Sequence, residues 1–161
     1  MIFKNNFFNL KDFSIKFLAT CFGLGYAPLI PGLMGVGLGS IVAYLVHPFS
    51  FWQKALITLI LIIVSIPLTT EAEKLFQKKD CKKIIIDEIV GVLTATIWFS
   101  DLSLAMFGAI FFIYGLLDAV KVFPANIIEY LYGGWGIVFD DVVAGGYTAI
   151  AIVLIFQVLK L

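Results

Sequence analysis

From Phe17 to Gln53 the sequence carries no charged side chain, and the charges that follow come in short clusters between further apolar runs. A soluble chain places charge at about a quarter of its positions to keep its outer face in water. Here 14% of the 161 residues are charged and 61% are hydrophobic, so a bilayer is the solvent that fits most of the surface. A backbone in lipid must satisfy its own hydrogen bonds, and apolar runs of this length read as helices. The pattern predicts an all-α fold, a polytopic membrane helix bundle of about four to five spans, as one domain over residues 1–161.

The segments follow in order. Met1–Lys16 mixes lysines with Phe7, Phe8, Leu10 and Phe13, and with Phe17 this spacing suits an amphipathic N-terminal helix lying at the interface. It has no uninterrupted apolar core followed by a small-residue cleavage site, so it does not read as a secretory signal. Cys21–Gly32, with Pro28 and Pro31 among its glycines, predicts a loop. Leu33–Val46 predicts a short or re-entrant first segment, ended by His47-Pro48. Phe51–Thr70 predicts a span with Pro67 bending its end.

Glu71–Lys83 is the polar connection and holds five lysines. Ile84–Ser100 predicts a span carrying Asp87 and Glu88 about one turn inside. Asp101 marks a turn, and Leu102–Val120 the next span. Phe123–Phe139 reads as a loop or interfacial segment, and Asp140-Asp141 open a last span, Val142–Leu159. Lysines crowd the N-terminal arm and the Glu71–Lys83 segment, while Lys54 stands alone on the other side. The lysine bias therefore predicts that the arm and the polar connection face the cytoplasm across a bacterial inner membrane.

That topology brings Asp80, Asp87, Glu88, Asp118, Asp140 and Asp141 to one membrane face. Acids inside or beside spans are costly and normally face an interior, a cavity or a partner. Taken singly, several have plainer readings. Asp140 could cap the last helix with Asp141 in its first turn. Asp118 and Lys121 could form an intrahelical pair. Glu71, Glu73 and Glu129 read as solvated faces. Asp87-Glu88 has no such explanation. Together, six carboxylates with one nearby Lys call for a positive partner, and a hard divalent cation, Mg²⁺ above all, takes oxygen ligands and binds phosphate. His47 is the sole histidine and falls on the other face, and Cys21 and Cys81 have no metal or redox spacing, so no zinc site is expected. There is no Arg and no basic stripe, which argues against nucleic acid as a partner. Nothing in the pattern specifies an oligomeric state.

Four segments resemble the bacterial phosphatidylglycerophosphatase A family. GLGYAPLIPGLMG (Gly23–Gly35) is similar to its G-x-G-x-x-P-x-x-P-G-T-x-G loop, and DCKKIIIDEIVG (Asp80–Gly91) to its D-x₆-D-E-x-x-G element. LLDAVKVFP (Leu116–Pro124) resembles its R-x-x-D-x-x-K-P-x-P element, and GGWGIVFDDVVAG (Gly133–Gly145) its G-G-x-G-I-x-x-D-D-x-x-A-G. The resemblance implies Mg²⁺-dependent removal of the phosphate monoester of phosphatidylglycerophosphate, giving phosphatidylglycerol, with a membrane phospholipid as substrate. It implies metal ligands among Asp80, Asp87, Glu88, Asp140 and Asp141, and catalytic roles for Asp87, Glu88, Asp118 and Lys121. Asp87 or Glu88 is then the base for an attacking water, with a phospho-aspartyl route as the mechanistic alternative. Lys121, Gly23, Gly25, Pro31, Gly32, Gly134 and Gly136 are expected to hold phosphate, the glycines through their N–H groups.

Four positions depart from the family pattern. Gly115 stands where the family has Arg, Val122 where it has Pro, Leu33 where it has Thr, and Val36 where a small hydroxyl residue is usual. The phosphate grip then falls to Lys121, Lys82 or Lys83. The alternatives are a small membrane cation transporter or channel, and a divergent relative with another lipid phosphate substrate or little activity.

Overall fold

The computed structural model describes residues 9–28 and 30–159, and among them every regular element is helical. They form α1 (Leu10–Ala19), α2 (Pro31–Val46), α3 (Phe51–Phe76), α4 (Ile86–Thr96), α5 (Leu104–Val120), α6 (Ala125–Ile128) and α7 (Gly134–Leu159), with a 3₁₀ turn at Leu24–Tyr26. Two helices, α3 and α7, are long and apolar enough to cross a membrane, and α2 and α5 are shorter apolar helices. With their broad lipid-compatible faces, they mark a membrane-associated bundle.

A helix, α1, covers the described part of the N-terminal arm, and Phe7 and Phe8 lie outside the described residues. The Asn9 side chain caps α1 by accepting from the Lys11 N–H at 3.1 Å. Ala19 is buried against Ala72 and Ile84, whereas Leu10, Phe13, Phe17 and Leu18 point outward. Both cysteines are free and buried, as core fillers would be.

Four boundaries differ from those the sequence predicts. α3 does not end at Thr70. It runs through Pro67 and on to Phe76, because Glu71 and Lys74 pair along its surface at 2.6 Å and Ala72 is packed in the core. α2 starts two residues early, with Pro31 in its first turn, where the missing N–H costs nothing.

α4 covers 11 residues rather than the whole of Ile84–Ser100. At 1.5 Å per residue it is about 16 Å long, roughly half a hydrocarbon core. Its apolar character comes from enclosure by α2, α3, α5 and α7, and Val90, Val92, Leu93 and Ala95 are all buried. Lys54, within the predicted span Phe51–Thr70, is buried in the first turn of α3. Its ammonium donates to the Phe99 carbonyl at 2.6 Å, just past the far end of α4.

Finally, α7 begins at Gly134, so the GGWG stretch starts the helix instead of forming a loop. Gly134 has to lack a side chain: a Cβ there would come 2.8 Å from the Ile66 carbonyl carbon of α3. Its N–H donates to Thr70 Oγ1 at 2.7 Å. Asp140 and Asp141 therefore sit almost two turns inside α7, and the cap reading for Asp140 does not hold.

Candidate active site: an acidic cavity at the end of α4

A cavity of about 640 Å³ opens where the first turns of α2 and α4 meet the last turn of α5 and the second turn of α7. Asp80, Asp87, Glu88, Asp118, Lys121, Asp140 and Asp141 all line it, together with Pro31 and Gly32. Asp80 and Asp141, 61 positions apart in the chain, are thus gathered at one place.

Asp87 and Glu88 occupy the first turn of α4, where the positive end of the helix dipole favours carboxylates. That is a local reason for two adjacent acids which the sequence does not reveal. Glu88 lies beneath α2, where a Cβ on Gly32 would come 3.2 Å from its Oε1 and one on Gly35 within 3.0 Å of its Oε2. Asp87 Oδ1 and Glu88 Oε2 are buried and have no hydrogen-bond partner. A buried carboxylate oxygen without a donor is costly unless something else supplies positive charge.

Asp141 is held differently. The hydroxyl of Tyr114, a fully buried residue of α5, donates to its Oδ1. Gly91 makes the slot for this ring, since a Cβ there would lie 2.6 Å from the Tyr114 Cζ. The glycine of the D-E-x-x-G element is thereby explained by the placement of Asp141.

Lys121 is the hub of the charged network. Its Nζ lies 2.8 Å from Asp140 Oδ2, 2.8 Å from Glu129 Oε2 and 3.2 Å from Asp80 Oδ2. The intrahelical pair with Asp118 that the spacing allows is not among its ion pairs, because the chain leaves the helix at Lys121, with φ 47° in the left-handed region. Partial burial alone would lower its pKa, but the hydrogen bonds to Asp140 and Glu129 and the charges of Asp140 and Asp80 outweigh this and push it well above the ordinary lysine value. Lys121 stays a cation throughout the physiological range. Asp80 also has a left-handed backbone, and its N–H donates to Glu73 Oε1 at 3.0 Å.

Glu73, Glu129 and Tyr114 escape the sequence reading. The sequence predicts solvated faces for the first two, and no local pattern shows that they are drawn toward Lys121 and Asp80. Tyr114 did leave a trace: it stands four residues before Asp118, on the same face of α5.

Gly23, Gly25, Gly134 and Gly136 are not in the cavity, and their N–H groups are already used. They donate to Thr20 Oγ1 at 3.2 Å, Thr20 O at 3.0 Å, Thr70 Oγ1 at 2.7 Å and Gly133 O at 3.1 Å. Their expected role as a phosphate cradle is replaced by packing and turn formation. Gly32 and Leu33 are different. They stand in the first turn of α2, where N–H groups have no partner within the helix, and both line the cavity. Among the nearby lysines, Lys82 lines the cavity, whereas Lys83 lies over the rings of Tyr26 and Phe76 at 4.8 Å and 5.7 Å.

Among the described residues no three His, Cys or carboxylate groups already close around a common point. A hard divalent cation such as Mg²⁺ takes oxygen ligands of the kind that line the cavity. The donors here are all oxygens, and two of them are buried orphans.

The helices and the cavity define a class of protein, a membrane-associated α-helical bundle with an acid-lined cavity. Residues 17–156 match Phosphatidylglycerophosphatase A, and the chain belongs to that family. It is 31% identical over 134 residues to the Phosphatidylglycerophosphatase A of Escherichia coli (strain K12), covering 82% of this chain and 77% of the relative. It is also 30% identical over 142 residues to a Bacteroides thetaiotaomicron protein named "Putative phosphatidylinositol-3-phosphatase", covering 84% of this chain and 89% of the relative. No solved structure matches the chain.

Proposed function

We propose that the chain is a phosphatidylglycerophosphatase that removes the phosphate monoester of phosphatidylglycerophosphate with Mg²⁺, working in the cytoplasmic leaflet of a bacterial inner membrane that it crosses four to five times. The observation that carries this reading is the pair of buried, partnerless oxygens on Asp87 and Glu88, in a cavity shared with three further aspartates of α5 and α7. Family membership supplies the reaction, and the lysine bias of the connections supports the orientation. A transporter would need ionisable groups along a path, whereas the described interior acids gather in one cavity.

Asp87 and Glu88 would hold the ion, with Asp80, Asp140 and Asp141 facing the same space. When bound, Mg²⁺ neutralises charge on the phosphate oxygens and makes a bound water more acidic. The remaining work falls to the chain. Glu88 or Asp87 takes the proton of the attacking water as its oxygen bonds to phosphorus. Asp118, which is not held by Lys121, faces the cavity and returns a proton to the departing glycerol oxygen as the phosphorus–oxygen bond breaks. Tyr114 fixes the orientation of Asp141, and Lys121 fixes Asp80 and Asp140. Because Lys121 is committed to three acids, Lys82 is left to meet the phosphate, helped by the first-turn N–H groups of α2.

The direct test is phosphate release by the purified protein in detergent micelles. Phosphatidylglycerophosphate is expected to be hydrolysed with Mg²⁺ and to lose about 10²-fold or more in EDTA. Full activity in EDTA would end the metal scheme. Phosphatidylinositol 3-phosphate belongs in the same assay, since one relative bears that substrate in its name. A faster rate on it would reassign the headgroup but not the chemistry. Lys82→Ala is expected to raise KM about 10-fold or more, the effect of losing one charge-assisted hydrogen bond to phosphate. Lys83→Ala, which removes a side chain resting on Tyr26 and Phe76, is the matched control.

A further inference from the structure

The cavity has two chemically distinct ends. One is built from carboxylates and lysines. The other is apolar, walled by Leu33 and Val36 of α2 and by Phe111, Phe112 and Ala119 of α5. The apolar end is not sealed, since Phe112 is 76% exposed and Leu33 39% exposed on the outer surface of an apolar bundle. Gly115, one turn from Phe112 on α5, also lines the cavity.

Gly115 is not demanded by packing. At Gly91 and Gly134 an added Cβ would strike a neighbouring side chain or backbone, but at Gly115 it would meet nothing within 4 Å. Gly37, Gly108 and Gly146 also have open surroundings, yet Gly115 alone of these four borders the carboxylate cavity. A glycine within a helix is less favourable than an alanine. Here that cost is matched by no packing contact, only by an opening. That opening lies on the wall of the same cavity that holds the acids.

We propose that the gap between α2 and α5 at Gly115 is the lateral portal for the lipid substrate. The acyl chains lie along Leu33 and Phe112 in the bilayer while the phosphate headgroup passes Gly115 to reach the carboxylates. The proposal rests on the lipid-phosphatase reading and adds how the substrate is held. Reaching the acids from the membrane rather than from water selects substrates with two long chains over soluble phosphate monoesters.

The experiment compares wild type, Gly115→Ala and Gly115→Phe on dioleoyl and dihexanoyl forms of the same phosphatidylglycerophosphate. The ratio of kcat/KM for the long-chain to the short-chain substrate is expected to fall about tenfold or more in Gly115→Phe and to change little in Gly115→Ala. An unchanged ratio, or an equal loss on both substrates, overturns the portal. A second readout does not depend on turnover. A phosphatidic acid carrying a diazirine on its acyl chain, in phosphatidylcholine vesicles, is expected to label Leu33 and Phe112, and Gly115→Phe is expected to reduce that labelling. Labelling centred instead on the outer groove of α7 near Tyr147 and Val153 overturns the portal. If wild type releases no phosphate yet labels at α2 and α5, the portal stands and the hydrolytic reading fails.

Discussion

Asp87→Asn is expected to lower kcat/KM for lipid phosphate release by about 10²–10⁴-fold while leaving the metal-free protein at least as heat-stable as the parent. The two effects share one cause. Asp87 stands in the first turn of α4 with one oxygen buried and unpaired, in a cavity that also holds Glu88, Asp118, Asp140 and Asp141. Without a cation these carboxylates repel each other and are poorly solvated, so an isosteric neutral amide removes unfavourable charge. With a cation and a phosphate present, the same amide is a weaker ligand and no base. Steady-state kinetics at saturating Mg²⁺, beside thermal unfolding in EDTA, measures both. Near-wild-type turnover, or a large loss of metal-free stability, would remove Asp87 from the proposed machinery and make it a structural residue.

Lys121→Met should act in the other direction and destabilise the protein by on the order of 3 kcal/mol, the low end of the cost of breaking a buried ion pair. The three partners do not contribute equally. The side chain of Asp80 is 55% exposed and can turn to water, whereas that of Asp140 is 7% exposed and cannot. Most of the loss should therefore come from leaving Asp140 buried and uncompensated. A double-mutant cycle tests this: in an Asp140→Asn background, Lys121→Met should cost no more than about 1 kcal/mol by thermal unfolding in micelles. The full cost persisting in that background would mean that Lys121 acts through its packing rather than its charge.

How much of this was legible in the sequence differs by feature. Helices were visible because apolar runs in a charge-poor chain have few alternatives, and the site acids were visible because a bilayer makes intramembrane carboxylates conspicuous. Helix ends were not. Glu71–Phe76 looked like loop because charges read as solvent, yet a surface Glu71–Lys74 pair and a buried Ala72 extend α3 through it. Gly133–Gly136 looked like a break, but at Gly134 the missing side chain permits contact between helices, a property set by a partner distant in sequence. The same holds for the phosphate role assigned to Gly23, Gly25, Gly134 and Gly136, where residue type was right for a cradle but the N–H groups were already spent. Glu129 and Glu73 were overlooked because a charged residue between apolar segments normally faces water, and only the position of Lys121 and Asp80 turns them inward.

The shortness of α4 has a consequence for which substitutions the protein can absorb. The outer faces of α3 and α5 accept almost any apolar side chain, since lipid adapts its shape to whatever it meets. α4 has no such neighbour. It is shut in on every side by protein, with a tyrosine ring filling the space left at Gly91 and two orphaned acids at its first turn. A larger residue has nowhere to go, and a smaller one leaves a void that no lipid can fill. The least exposed helix of a membrane protein is thereby also the one with the narrowest tolerance, and whatever changes elsewhere on the surface, the position of Asp87 and Glu88 changes little.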